Sequence, residues 1–420
     1  MEGVLSNIQT SAAMAVDWSS LPVDLVCTIA LNLKTFEDFI YFSAVCRSWN
    51  HASSLIKHQW RATPVVPWLL LAQNTNEDQK SIRDIFNLKN NKCYKFNFPE
   101  MVEARCWGSV DGWVAMVDHH LDVQLFNPIT KARIRFPSVI PLCLYEDNEI
   151  HYFYGYEVYV GWMLSFFLQK FIVLKISPDE FLIVLLYDWQ GLAFVRYGDP
   201  SWTNVVTPNS VGDRIDNIDA TKAIVDVASV NDDVFALYNT GTIVYWNVKE
   251  FGGCGLLKLV NYFPPSQPLI FFDKLMLGMY RKYLVKSGNQ LLVVLQSKEE
   301  VLNAEQDDYD YDFFYRTTGF QVYKLNFTDR KWEEIQDFGD VALIVGNNSS
   351  MCVPIASSKS MHRSCIYFTD DEYNMSGSLE EKSGHDIGAY DIKCRQIWKF
   401  YEGGNTRSLR CPPTCFIPQF

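Results

Sequence analysis

The chain has 420 residues, 48% hydrophobic and 15% aromatic, with a formal net charge of -12. That composition supplies a large packed core beside a small second unit and excludes a mostly disordered chain. An acidic chain with no evident run of Lys and Arg also argues against nucleic-acid binding, so a protein or a small ligand is the expected partner. Eleven cysteines, at positions 27, 46, 93, 106, 143, 254, 352, 365, 394, 411 and 415, form no CxxC pair. This is the usage of reduced thiols in the nucleus or cytoplasm.

Residues 1–16 read as a disordered leader, because "MEGVLSNIQTSAAMAVDW" has neither a basic n-region nor a continuous apolar stretch. Three short amphipathic helices are expected within residues 17–63. Pro22 in the first turn and Asp24 near the positive end of the dipole start the first helix, in which Leu25, Ile29 and Leu33 recur beside Val26 and Ala30. Thr35 and Asp38 are spaced as a capping box for the second, which carries Phe36, Phe39, Ile40 and Ala44 inward. Val45, Trp49, Ala52, Ile56 and Trp60 fall on one stripe of the third, and Pro64 and Pro67 end the module. A unit of roughly 45 residues cannot bury that many apolar side chains internally, so an exposed patch must find a partner.

The same stretch resembles the F-box family. "LPVDL" and "VCRSW" stand at the family spacing, giving Leu21, Pro22, Asp24, Leu25, Val26, Ile29 and Leu33, then Phe39, Val45, Cys46, Arg47 and Trp49. Ala30 departs from the pattern, where a larger Leu is usual. The resemblance implies that these residues dock on Skp1, the adaptor subunit of a cullin-RING ubiquitin ligase, in the manner of a helical interface that completes itself only against its partner.

From residue 64 to 420 the pattern period falls from about 3.6 to 2. Five segments, 112–137, 181–205, 233–251, 291–335 and 365–400, repeat one grammar: an apolar strand, a turn, and a second strand closed by Asn or Asp before an aromatic or apolar end. Asn127, Asn247, Asn326 and Asp391 occupy equivalent turns. Spacings of about 40 to 60 residues predict a β-propeller of about six blades, ahead of a two-sheet sandwich. Closure of the ring is expected between "PWLLLAQ" (67–73) and "TCFIPQF" (414–420). The run 158–176 is too short between charges to span a membrane and reads as two buried strands. The pieces "LAFVRYGDPSWTNV", "RKYLVKSGNQLLVVLQ", "FQVYKLNFTDRKWEEIQDFGDVALIVGNNSS" and the ending "CPPTCFIPQF" resemble the plant F-box proteins of the DUF295 or KIB type, with a degenerate kelch-like propeller.

No catalytic, metal or cofactor site is expected. His119 and His120 sit in a hairpin turn without a third ligand, Cys411 and Cys415 lack a second pair, and "FGGCG" (251–255) has no phosphate-loop context. The expected function is a non-catalytic adaptor: the F-box joins a Skp1–cullin ligase and the propeller presents an unidentified protein substrate. The alternatives are a scaffold acting outside the ligase, or a propeller enzyme, which would need carboxylates or histidines converging from inner strands that read as apolar. The longest polar excursion, 297–316, marks a substrate surface at Tyr309, Tyr311, Phe313, Phe314 and Tyr315.

Overall fold

A computed structural model describes residues 17–33, 36–61, 66–74, 76–109, 112–142, 156–177, 179–188, 191–205, 223–230, 233–247, 261–263, 280–288, 290–302, 313–329, 331–355, 361–371, 386–403, 408 and 411–419. The chain forms two compact units, Met1–Val65 and Val66–Phe420. The leader 1–16, Thr35 of the expected capping box, Pro64 and the "FGGCG" turn lie outside the described residues.

In the first unit, a 3-10 turn over Trp18–Ser20 is capped by Asp17 and leads into α1 (Val23–Leu31), α2 (Phe36–Ser43) and α3 (Arg47–Arg61). Val26 and Ala30 of α1, Phe36, Phe39 and Phe42 of α2, and Ala52 and Ile56 of α3 make its core. Val45 is not on the inward stripe of α3. It lies in the turn before the helix and is exposed, as is Ala44, because α3 starts only at Arg47.

The second unit is a six-bladed propeller. Blade one contains β1 (Trp68–Leu70), β2 (Ile82–Asn87) and β3 (Lys92–Asn97), and blade two contains β4 (Arg105–Gly108), β5 (Val114–Val117), β6 (Val123–Phe126) and β7 (Arg133–Phe136). A short helix, α4 (Tyr156–Trp162), and a π-turn (Met163–Phe167) precede blade three, which is β8 (Leu168–Ser177), β9 (Glu180–Tyr187), β10 (Gly191–Arg196) and β11 (Thr203–Asn204). Blade four is β12 (Ile224–Val230), β13 (Asp233–Tyr238), β14 (Ile243–Asn247) and β15 (Asn261–Phe263), and blade five is β16 (Tyr280–Ser287), β17 (Gln290–Leu302), β18 (Phe313–Asn326) and β19 (Lys331–Ile335). Blade six has five strands, β20 (Val341–Val345), β21 (Met351–Pro354), β22 (Cys365–Phe368), β23 (Gly388–Asp391) and β24 (Gln396–Trp398), with β20 parallel to β22.

The ring closes where the sequence places it. The last strand, β25 (Thr414–Phe416), pairs antiparallel with β1 in the register Trp68–Phe416, Leu69–Cys415 and Leu70–Thr414, and becomes the inner strand of blade one. On its other side it presses against β4 so closely that a Cβ on Gly108 would lie 1.8 Å from the Cys415 carbonyl oxygen. Only glycine fits there.

The repeated Asn or Asp is an Asx turn between the two outermost strands of a blade. The side-chain Oδ1 of Asn87, Asn127, Asn326 and Asp391 each accepts a backbone N–H two residues on. Four residues after three of them the backbone turns left-handed, at Asn91 (φ 55°), Lys131 (φ 61°) and Arg395 (φ 56°). The Asx bond substitutes for a backbone hydrogen bond and sets the turn in these four blades. Asn87, which the sequence grammar omits, belongs to the set; Asn247 instead donates to Asp233 across its own hairpin.

The run 158–176 is only half strand. Val160, Met163, Leu164 and Phe167 all pack into the cluster between blades two and three, a helical spacing that a uniformly apolar run conceals. The blades bury both faces against their neighbours, so strands such as Val114–Val117 are buried at every position.

Candidate functional site

Two regions carry chemistry, one in each unit. In the helical unit, α1 holds two rows of apolar side chains offset by one residue. Val26 and Ala30 are wholly buried, while Leu25 (53% exposed) and Ile29 (39%) face solvent. Val45 at 58% exposure continues the outward set. Pro22, Asp24 and Arg47 are also exposed, and Leu21, Leu33, Cys46 and Trp49 are half-buried. Val26 and Phe39 lie inside the unit, where they shape the surface without forming it. The frame under the exposed face is fixed by specific bonds. Trp49 Nε1 donates to the Trp18 carbonyl at 3.0 Å, the Trp49 ring sits 4.5 Å from Phe42, and the Cys27 thiol donates to the Ala52 carbonyl at 3.6 Å. Trp18, Tyr41 and Leu55 are exposed apolar residues beyond the motif. Tyr41 is flanked by Ile40 and Phe42 and Leu55 precedes Ile56, so neither stands out from its apolar neighbours in the sequence.

At the propeller axis, residues from five blades line a small cavity of about 60 Å³ with Trp107, Lys170, Asp226, Arg281, Asn347 and Asp371 among its walls. The expectation that inner strands lack convergent carboxylates is corrected at Asp226, a single charge interrupting the apolar run of β12; Asp371 reaches the same cavity from the segment that follows β22. Both are held by cross-blade partners. Asp226 accepts from Lys170 Nζ at 2.5 Å, from the Val227 amide at 2.8 Å and from the Leu284 amide at 2.6 Å. Burial pushes the Asp226 carboxyl up, against the opposing pull of Lys170 and those amides. Asp371 accepts from the Tyr283 hydroxyl at 2.9 Å and lies 3.6 Å from Lys298 and 3.9 Å from Arg281. Lys282 donates to the carbonyl and side-chain oxygens of Asn239, and burial draws its ammonium down to about 8. Arg105 is wholly buried, donates to Asn347 Oδ1 at 3.3 Å, and is drawn down to about 9 by the same desolvation. These groups tie different blades to one another; Asp226 is held by three hydrogen bonds, whereas Asp371 Oδ1 accepts none among the described residues and lies within ion-pair distance of Lys298 and Arg281.

The other residues singled out in the sequence have structural roles. Asp118 caps the turn holding His119 and His120, accepting from the His120 amide at 2.9 Å and the Asp122 amide at 3.1 Å. The Cys411 thiol is buried against the Ala104 carbonyl at 3.2 Å, and Cys415 is buried in the closing strand. Within 297–316, Lys298 to Leu302 and Phe313 to Arg316 prolong the β17–β18 ladder. Tyr309 and Tyr311 lie outside the described residues, and so do the side chains of Phe313 and Phe314. Tyr315, expected at an exposed rim, is buried: its hydroxyl donates to Asp370 at 2.5 Å and Lys298 Nζ lies 4.8 Å above its ring. Strand alternation turns Tyr315 inward and Arg316 outward, where it pairs with Glu299.

The KIB1-4 beta-propeller family model matches residues 85–391. The chain is 24% identical over 434 residues to F-box protein SKIP23 of Arabidopsis thaliana, with 96% of each protein covered. It is 23% identical over 425 residues to F-box/kelch-repeat protein KIB1 of the same plant, covering 96% of this chain and 92% of that protein. F-box protein At2g17036, also from Arabidopsis thaliana, is 23% identical over 409 residues, covering 90% and 89%. With its propeller matched over most of its length and its relatives sharing the helical unit as well, the chain belongs to the KIB1-4 beta-propeller family and is a plant F-box protein of that family.

Proposed function

We propose that this protein is the substrate-recognition adaptor of a Skp1–cullin–F-box ubiquitin ligase. Its helical unit docks on a Skp1-type adaptor and through it on a cullin, and its propeller holds a protein substrate for ubiquitination. The observation that carries the reading is the outward apolar row Leu25, Ile29 and Val45 on a unit whose own core is already filled by Val26, Phe39 and Ile56. A row of that kind is stabilised by a partner's apolar surface and by little else. The names of the relatives support the same reading. The chain performs no chemical step; it raises the effective concentration of substrate lysines near the ubiquitin-carrying enzyme. Nine described cysteines are free thiols, which favours the nucleus or cytoplasm as its place of action.

The test is a binding titration of the full chain against purified Skp1. A Leu25→Ser, Val45→Ser double change is expected to weaken binding at least tenfold, about 1 kcal/mol or more per anchor, with the melting curve unchanged. Residues 66–420 alone are expected not to bind. If that fragment bound Skp1 as well as the full chain does, the adaptor reading would fall.

A further inference from the structure

The outer strands of blades one and two bring together cations that are far apart in sequence. On β3, alternate residues Lys92, Tyr94 and Phe96 share one face; the rings of Tyr94 and Phe96 lie 6.2 and 6.4 Å from Trp68, and Phe96 stacks at 5.6 Å on Phe98. Phe98 in turn meets Phe126 of blade two at 5.7 Å, so this face of blade one looks toward blade two. On β7, Ile134 and Phe136 pack toward blade three, which leaves Arg133 and Arg135 on the side toward blade one. Arg133 pairs in register with Phe126, which confirms that side. Between the strands, Lys131 Nζ lies 3.8 Å above the Phe98 ring and donates to the Asn97 carbonyl at 2.9 Å.

Lys92, Lys131, Arg133 and Arg135 are all exposed, Tyr94 and Phe96 are half-buried between them, and Glu100 is the carboxylate beside Lys131. Lys92, Arg133 and Arg135 form no ion pair among the described residues. Local positive charge in a chain of net charge -12 is a departure that needs a cause. Protection of sheet edges is the plainest one, since lysines on edge strands discourage pairing between molecules. The other described edges do not follow it: β19 mixes Lys331 with Glu333, 3.6 Å apart, and β11 and β24 carry no charge. Edge protection therefore does not require four exposed cations of one sign, three of them without an ion pair among the described residues, with aromatic rings between them.

We infer that the wedge between β3 and β7 is a docking surface for an extended acidic segment of a partner protein. Both strands are the outermost of their blades, so each offers unpaired backbone groups to an added strand. The cations supply charge complementarity, and the half-buried rings supply apolar contact at alternate positions. A nucleic acid, by contrast, would meet the repulsion of the acidic chain around a patch only a few residues long. The inference rests on the propeller being the protein-recognition body of the adaptor, and it gives that body a site.

Fluorescence anisotropy of a labelled peptide of roughly ten residues alternating Glu with Val, matched to the two-residue period of a strand, tests it on the full chain. The peptide is expected to bind, to weaken several-fold between about 50 and 300 mM NaCl, and to lose at least tenfold in affinity in Arg133→Glu/Arg135→Glu and in Lys92→Glu. Arg133→Gln/Arg135→Gln, with an unchanged melting curve, guards against misfolding of the reversed variant. No peptide binding, equal binding by all variants, or tighter binding of an oligothymidylate of equal charge overturns the inference. Skp1 binding measured on the unaltered chain separates the two proposals: absence of Skp1 binding alone breaks the adaptor reading, and absence of peptide binding alone breaks this one.

Discussion

The two units of this protein distribute polarity in opposite ways. The helical unit leaves Leu25, Ile29, Val45, Tyr41 and Leu55 exposed around a small core, whereas the propeller buries Arg105, Lys170, Asp226 and Lys282 and keeps its large apolar clusters between blades. The difference lies in what completes each unit. A propeller hides its edges by closing on itself, and charged groups near its axis can then satisfy one another across blades. Three helices of about 45 residues cannot close on themselves, and on the proposed reading their surplus apolar surface is completed by another protein.

The comparison breaks if the propeller proves not to need its closure. Deleting residues 411–420 removes β25, including Thr414, which joins blades by accepting from the Gly108 amide at 2.9 Å and donating to the Asn347 carbonyl. It also exposes the backbone edge of β1. The truncated protein is expected to aggregate or to lose the cooperative melting of the whole body, read by calorimetry and light scattering; a melting curve like that of the full chain would show that the ring is not a single closed unit. The next largest effect is expected at the axis. Asp226→Ala leaves Lys170 buried without its counter-charge and two backbone amides without their acceptor, at a cost of about 3 to 5 kcal/mol in denaturant unfolding. A loss below about 1 kcal/mol would mean that water already screens the pair.

How much of this could be read from the sequence differed between the same two units. Ring closure was legible because an apolar strand at each end of a repeat array has only one partner that leaves no edge. The Asx turns were legible at Asn127, Asn326 and Asp391, where they close a repeated grammar, and not at Asn87, whose blade is split between the two ends of the chain. Helix α4 was hidden, since a run apolar at every position carries no period to distinguish helix from strand. The axial pairs were hidden for a different reason: Lys170 and Asp226 are 56 residues apart, and each looks like an interruption of its own strand. In the F-box unit the motif named the surface residues and the core residues together, and only the fold separates Leu25 from Val26. The basic wedge was out of reach for the same reason as the axis, because β3 and β7 come to lie on facing sides only when blades one and two stack.

The comparison sharpens at Lys282, where the expected effect is the smallest and has a definite sign. Its ammonium is buried against the neutral oxygens of Asn239 and is drawn down to about 8 in the native state, below its ordinary value of about 10.4 when unfolded. Between those two values the unfolded chain holds a proton that the native chain lacks, so the contribution of this group to stability rises with pH from about 8 to 10 and is lowest below 8. Other groups work in the opposite direction in that range: burial pushes Cys106, Cys415 and Tyr187 up to about 12, so their native forms keep protons that the unfolded chain gives up. Wild type and Lys282→Met share those groups, and the difference between the two proteins isolates the lysine. Urea unfolding at about pH 7.5 and pH 10 is expected to move that difference toward wild type by on the order of 1 kcal/mol as pH rises. A difference that stays flat would show that Lys282 keeps its charge by reaching solvent or a counter-ion, and is not among the charges that the propeller buries.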